Sequence, residues 1–428
     1  MKIVANLKKI FSSKFNGINL TNNAGIFLLQ KIENKLNLIK EISSEIEDTR
    51  ISYKCKHDVL SMIKQRVFSI AIGSEDLNDQ SYLKNDPLLQ AIVGSSKSLA
   101  SCATISRFER KIDRKEIISI HKILIKNFIN SYTKIPKEIT LDFDGTESKV
   151  YGNQAGAMYN GYFKHKCYYP LYVFCGKHLL VAYLRSGNVQ DNKHSWAILK
   201  LLVKEIRKFW PNVKIVFRGD SMFCRHKMFN WCEKNNVYYI TGISVNNRLA
   251  NLAETNVHKT KKLFNKLGKI QKKFAELKYA AKTWIRERRV IQKTKCDKNK
   301  LRTCFIVTNL HGTPQYLYEK FYSARGEMEN RIKEQQYLFS NRTSSKDMLA
   351  NQFRLLLSGI AYTLLDCLRR ICLIKTKYAK VNCLTIRLKL LKTTAVIISN
   401  NKSIKILCSI SHTWNFLFNL SLRKLSMF

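Results

Sequence analysis

Three acids in this sequence stand where folding could bring their side chains together: Asp144 in "DFDGT", Asp220 in "RGDS" and Glu329 in "GEMEN". Asp144 and Asp220 each close an apolar, strand-like run, and Glu329 lies in a helical stretch. Clustered carboxylates repel and desolvate one another, so three of them persist together only around a cation. An all-oxygen donor set favours Mg²⁺, with Mn²⁺ as the alternative. Two such ions roughly 3.5–4 Å apart activate a water or hydroxyl on one side of a phosphodiester and stabilise the leaving oxygen on the other. Asp142 shares a pleat face with Asp144 and is the alternative first ligand. Glu327 and Glu334 read as solvent-side acids of the same helix as Glu329. His178, His194 and His226 are isolated and read neither as a base nor as zinc ligands.

The charge balance supports chemistry on phosphate. The chain has 428 residues, with 75 Lys+Arg against 31 Asp+Glu and a formal net charge of +44. That excess is far beyond what solubility needs and points to a polyanion, most economically double-stranded DNA. Hydrophobic content of 45% and aromatic content of 11% exclude a disordered basic tail. A membrane surface is the competing partner, but the longest uncharged apolar stretch, Leu355–Leu365, has 11 residues. A span needs about 20, so no membrane association is expected and this stretch reads as a buried helix. The N-terminal "MKIVANLKKIFSSKF" is basic but lacks a secretory h-region. The 12 cysteines form no C-x-x-C pair or zinc array. They fit a reducing compartment, mostly as small core residues. The tripeptide Arg218-Gly219-Asp220 also matches an adhesion motif, a reading that requires an exposed loop in a secreted protein.

The acids need elements to carry them. The first third reads as helical, with Asp86 and Pro87 as N-cap and first helical residue and Gly94 as the stop. "SLASCATISRFERKI" reads as a capped helix, either an ordinary packing helix or a base reader of the helix-turn-helix kind. From Glu138 the period changes to two. "EITLDFDGT" alternates, and "PLYVFC" and "KHLLVAYLR" form a hairpin about Cys175–His178. The next helix places Trp196, Leu199, Val203, Ile206 and Trp210 on one face. Strand "VKIVFR", helix "HKMFNWCEKNN" and strand "VYYITGIS" follow. The order predicts an α/β fold with a mixed sheet and helices on its faces. From about Asn246 to Lys300 the chain is densely basic, with Phe274, Tyr279 and Trp284 interleaved. It reads as a β-hairpin insertion lying on a polyanion. After Pro314 the chain is helical, and the tail reads as a basic hairpin around Asn400-Asn401.

These residues resemble DDE transposases of the bacterial insertion-sequence type. The matching features are Asp144-Gly145-Thr146, Asp220 at a strand end, and Tyr322, Arg325 and Glu329 in the spacing of a Y-x2-R-x3-E-x6-K signature. Gln336 stands in the Lys position, and Lys333 lies one turn earlier on a similar helical face. Residues three and four apart share that face, so it can offer a metal ligand flanked by phosphate clamps. The resemblance implies an RNase H-like mixed sheet with a β-rich insertion, with Asp144, Asp220 and Glu329 as catalytic metal ligands. It implies DNA or phosphate contacts from Tyr322, Arg325, Lys333 and Trp284; a hairpin-core role is the other reading of Trp284. Its domains would be a helical DNA-binding region (1–136), a catalytic domain (137–375, insertion at about 246–311) and a basic C-terminal region (376–428). The implied activity is Mg²⁺-dependent cleavage and strand transfer on transposon ends and target DNA, by a homodimer at least, in the bacterial cytoplasm at the nucleoid. The alternative is a non-catalytic DNA-binding protein or a decayed copy, which Gln336 favours.

Overall fold

The alternating run becomes strand β1 (Glu138–Gly145), whose Ile139, Leu141 and Phe143 enter the core on one side while Asp142 and Asp144 face the other. A computed structural model of the chain describes residues 2–4, 10–12, 19–94, 98–189, 193–298, 300–400, 403–409 and 411–427. The "MKIVANLKKIFSSKF" reading falls largely outside them, as does Asn401. Before β1 lie helices α1 (Val59–Ile72) and α2 (Arg114–Asn130). Asp113 and Glu116 close a capping box at the start of α2. The helix Pro87–Val93 starts and stops as its Asp86, Pro87 and Gly94 predict.

After β1 come β2 (Leu171–Cys175) and β3 (His178–Tyr183), then α3 (Ser195–Phe209), β4 (Lys214–Gly219), α4 (His226–Lys234) and β5 (Val237–Ile243). Gly176, at φ 59°, makes the tight β2–β3 turn without a Cβ penalty. The basic region opens with helix α5 (Asn247–Leu267) and continues as β6 (Gln271–Tyr279), β7 (Arg288–Asp297) and β8 (Lys300–Thr308). Then come α6 (Gly326–Tyr337) and α7 (Met348–Cys372).

One sheet holds eight strands in the order β6-β7-β8-β5-β4-β1-β2-β3. β1, β4 and β5 are parallel and the other pairs antiparallel. Parallel neighbours present their C-terminal ends at one edge, which is how residues distant in sequence can share a site. Helices α2 to α5 cover one face through Phe128, Leu202, Phe229 and Leu249. On the other face α7 packs on Phe174 and Leu179. The N-terminal helices join the same cluster through Ile32, Phe68 and Ile120. The tail hairpin pairs Ala395–Ser399 with Ile404–Cys408, and the first of these strands also pairs with Leu20–Thr21.

Three sequence expectations change. The basic region begins as a 21-residue helix, because Leu249, Ala253 and Thr260 recur at helical spacing beneath a lysine-rich exterior that hides the pattern. Its strands then extend the central sheet through the β5–β8 pairing. Trp196 is 45% exposed, and Leu202 takes its place on the buried face of α3. Glu334 is buried, not solvent-side: it accepts from Arg369 at 2.6 Å, Arg331 at 2.9 Å and the Cys383 amide at 3.1 Å. Leu355–Leu365 lies buried in α7, and among the described residues no helix is long and apolar enough to cross a membrane. All 12 cysteines are free, and burial pushes thiols such as Cys175 and Cys224 up to about 12, which leaves them unreactive.

Candidate active site

Asp144 sits one residue before the end of β1, and Asp220 follows directly on β4. The parallel register pairs Arg218 with Asp142, so two residues further on Asp220 comes level with Asp144. An Asp220 carboxylate oxygen accepts from the Met222 amide at 2.8 Å, capping a 3-10 turn (Ser221–Phe223) and fixing the acid at the strand exit. Glu329 arrives from the first turn of α6, which packs against β1.

The segment leading into α6 is an irregular helix. Thr313 caps it and Pro314 takes its first position; a π turn follows over Leu317–Tyr322 and a 3-10 turn over Ser323–Arg325. Such turns shift register, so Tyr322 and Arg325 depart from the uniform face that 3.6-residue spacing predicts. The Tyr322 hydroxyl points to the end of β5. A Cβ at Gly242 would lie 2.7 Å from it and 2.9 Å from the Ser221 nitrogen, so only glycine admits this approach.

The electrostatics tie these groups together. Burial pushes the Asp144 carboxyl up to about 7; Arg325 opposes the shift, while Asp220 and Glu329 add to it. Arg325 donates to Asp144 at 3.2 Å. Burial alone would lower the Arg325 pKa, but Asp144, Tyr322, Asp220 and Glu329 together raise it. Burial also raises Tyr322, with Asp220 adding and Arg325 opposing. Among the described residues no group of three or more His, Cys, Asp or Glu side chains is gathered tightly enough to hold a metal ion as the side chains stand. The donor set nevertheless fits a divalent cation. It offers carboxylate oxygens only, and burial disfavours the charged form of Asp144 despite Arg325, so a cation would find a carboxylate short of compensating charge.

Asp142 has a different job. Both its oxygens accept from Arg218, at 2.5 and 2.8 Å, and Arg218 also donates to the Phe321 carbonyl. This pair ties β1 and β4 to the turn that carries Tyr322. Arg218 is only 8% exposed, which removes the adhesion reading of its tripeptide. Lys333 is exposed one turn along α6 from Glu329, and Gln336 is half-buried. Trp284 is not brought to the acids. β7 runs parallel to β5, so the β6–β7 turn carrying Trp284 lies at the opposite edge of the sheet. There its ring meets Phe229 and Tyr279 edge-on at 5.8 and 5.5 Å, with Arg288 5.1 Å from its centre. Sequence reasoning missed two neighbours of Asp144. Arg185, buried against Gly145, donates to the Tyr169 carbonyl at 2.9 Å, and no sequence signal marks it. Residues 146–169 form a small three-stranded flap between β1 and β2; its strands are too short for a period to register.

A family described as "Transposase DDE domain group 1" matches residues 5–428. No curated protein matches the sequence. Among solved structures, a cryo-EM structure of a piggyBac transposase synaptic complex with hairpin DNA is similar, with a TM-score of 0.43 and 11% identity. The similarity covers 86% of this chain and 79% of that one.

Proposed function

This chain belongs to the family of transposases with a group 1 DDE domain, and on that premise we propose that it binds the terminal inverted repeats of a mobile element and catalyses DNA strand cleavage and strand transfer. The observation that carries the reading is the placement of Asp144 and Asp220 level at one sheet edge, with Arg325 3.2 Å from Asp144 and Glu329 on the helix packed against that strand, in a chain with net charge +44.

Asp144, Asp220 and Glu329 would hold Mg²⁺, or Mn²⁺ in its place. The bound ion would lower the pKa of a water and neutralise charge developing on the leaving oxygen. Arg325, already beside Asp144, would turn to a non-bridging phosphate oxygen, and Tyr322 and Lys333 would hold the flanking phosphates. Attack of water on phosphorus breaks the P–O3′ bond and leaves a free 3′-hydroxyl and a 5′-phosphate. That hydroxyl then attacks a target phosphodiester, forming one P–O bond as it releases another 3′-hydroxyl. Asp142 holds Arg218 and with it the strand register. Trp284 as a DNA contact belongs to this proposal too; it would touch duplex remote from the cut. Two ends held together require at least a homodimer. The working location is the bacterial cytoplasm, at the nucleoid.

A nicking assay on an inverted-repeat end with Mg²⁺ tests the reading. Wild type should cut and Asp220→Ala should not. The second reading, a DNA-binding protein without catalysis, is motivated by Gln336 in the Lys position of the signature. It is the answer if the two proteins cut equally poorly while both bind the end.

A further inference from the structure

The flap between Asp144 and β2 carries three tyrosines that the fold leaves open: Tyr151, Tyr159 and Tyr162 are 84, 59 and 86% exposed. Large aromatic rings left in water cost solvation and mark contact surfaces when they gather in one segment. Lysines are interleaved with them along the segment. The Lys149 ammonium is 5.0 Å from the Tyr151 ring centre. Tyr159 is the register partner of Lys166, and Lys164 follows Tyr162 by two residues. Phe163 braces Tyr162 edge-on at 5.0 Å.

The flap is also held in place. The Ala155 amide donates to the Lys346 carbonyl at 2.9 Å, and the Ser148 hydroxyl to the Asn341 carbonyl at 3.1 Å. Both acceptors lie in the connector after α6. The Asn160 amide group donates to the Gly187 carbonyl at 2.6 Å. The same segment is therefore continuous with the strand of Asp144 and fastened to the chain that follows the helix of Glu329.

Resting on the DNA reading above, we propose that this flap is a stacking platform for unpaired nucleobases beside the phosphodiester held at Asp144. Tyrosine rings stack on any base face, and lysines interleaved with them take the phosphates. In intact duplex the base faces are covered by their neighbours, so the partner is a strand opened or frayed at the cut.

The test measures binding of a short single-stranded oligonucleotide carrying 2-aminopurine and of a blunt duplex of the same sequence. Tyr159→Ala and Tyr162→Ala should each weaken oligonucleotide binding by about 5- to 100-fold, leaving duplex binding within about twofold. Tyr159→Phe and Tyr162→Phe should bind as wild type does, because the ring and not the hydroxyl makes the contact. Unchanged melting temperatures establish that the variants fold. The assignment is overturned if the Ala variants bind the oligonucleotide like wild type, or if the Phe variants lose as much as the Ala variants. Wild type that binds duplex but no oligonucleotide also overturns it, and leaves the transposase reading standing. Wild type that binds neither brings down both.

Discussion

A carboxyl with a pKa near 7, such as Asp144, makes stability depend on pH in a direction that can be worked out. An unfolded aspartate titrates near 3.9, so between about 4 and 7 the folded chain holds a proton at Asp144 that the unfolded chain has lost. The destabilisation is absent below about 4, grows as pH rises and is complete above about 7. Glu33, also pushed up to about 7 by burial, follows the same course far from the acids, so wild-type pH dependence alone does not isolate Asp144. The variant Asp144→Asn does. In metal-free buffer it should melt higher than wild type at pH 8, by roughly 1 °C per kcal/mol relieved for a chain of 428 residues. At pH 4 or below the two should melt nearly together, and equal melting at pH 8 as well would show that Asp144 carries no such strain. Both acids of "DFDGT" were legible as candidates, since alternation puts them on one pleat face. Which of them meets Arg325 beside Asp220 and which is bound to Arg218 was not, because that pairing depends on the register of β1 against β4.

At the scale of elements, α6 has to present Glu329 outward while anchoring itself inward, and Glu334 does the anchoring. It sits between Arg331 of its own helix and Arg369 of α7, whose guanidinium also donates to Asp366 at 2.7 Å. Removing one partner of a buried pair strands the others, which costs about 3–5 kcal/mol. Glu334→Gln should lower denaturant stability by an amount in that range, whereas Glu327→Gln, on the exposed side, should change it by less than about 0.5 kcal/mol. Equal effects would show that Glu334 does not fix the helix. The helix itself was plain from its sequence. Its inner acid was read as an outer one because the arginines that bury it come from residues three and thirty-five positions away, and only the nearer of these lies on the same helix.

At the scale of the whole molecule, the β7–β8 hairpin continues past the last residue of β5, Ile243, to the pair Asp297–Lys300, a reach of roughly 17 Å beyond the edge that carries the acids. Lys293, Lys295, Lys300 and Arg302 ride on it. A surface of this kind binds DNA by releasing counterions, so affinity should fall by about 0.9 log units per neutralised phosphate for each decade of salt. Charge reversal of Lys300 and Arg302 should flatten that slope by about two, and a slope near zero in wild type would remove the polyanion from the account. By itself, the sequence determined the α/β alternation, the large excess of positive charge and which three acids were candidates, because local period, net charge and residue type are properties of the chain read in order. Only the tertiary structure decided that the basic region extends the central sheet, that Trp284 lies at the edge away from the acids, and that Arg325 stands on Asp144. Those outcomes rest on strand register and helix packing between residues far apart in sequence, and the energies that select them exist only once both partners are in place.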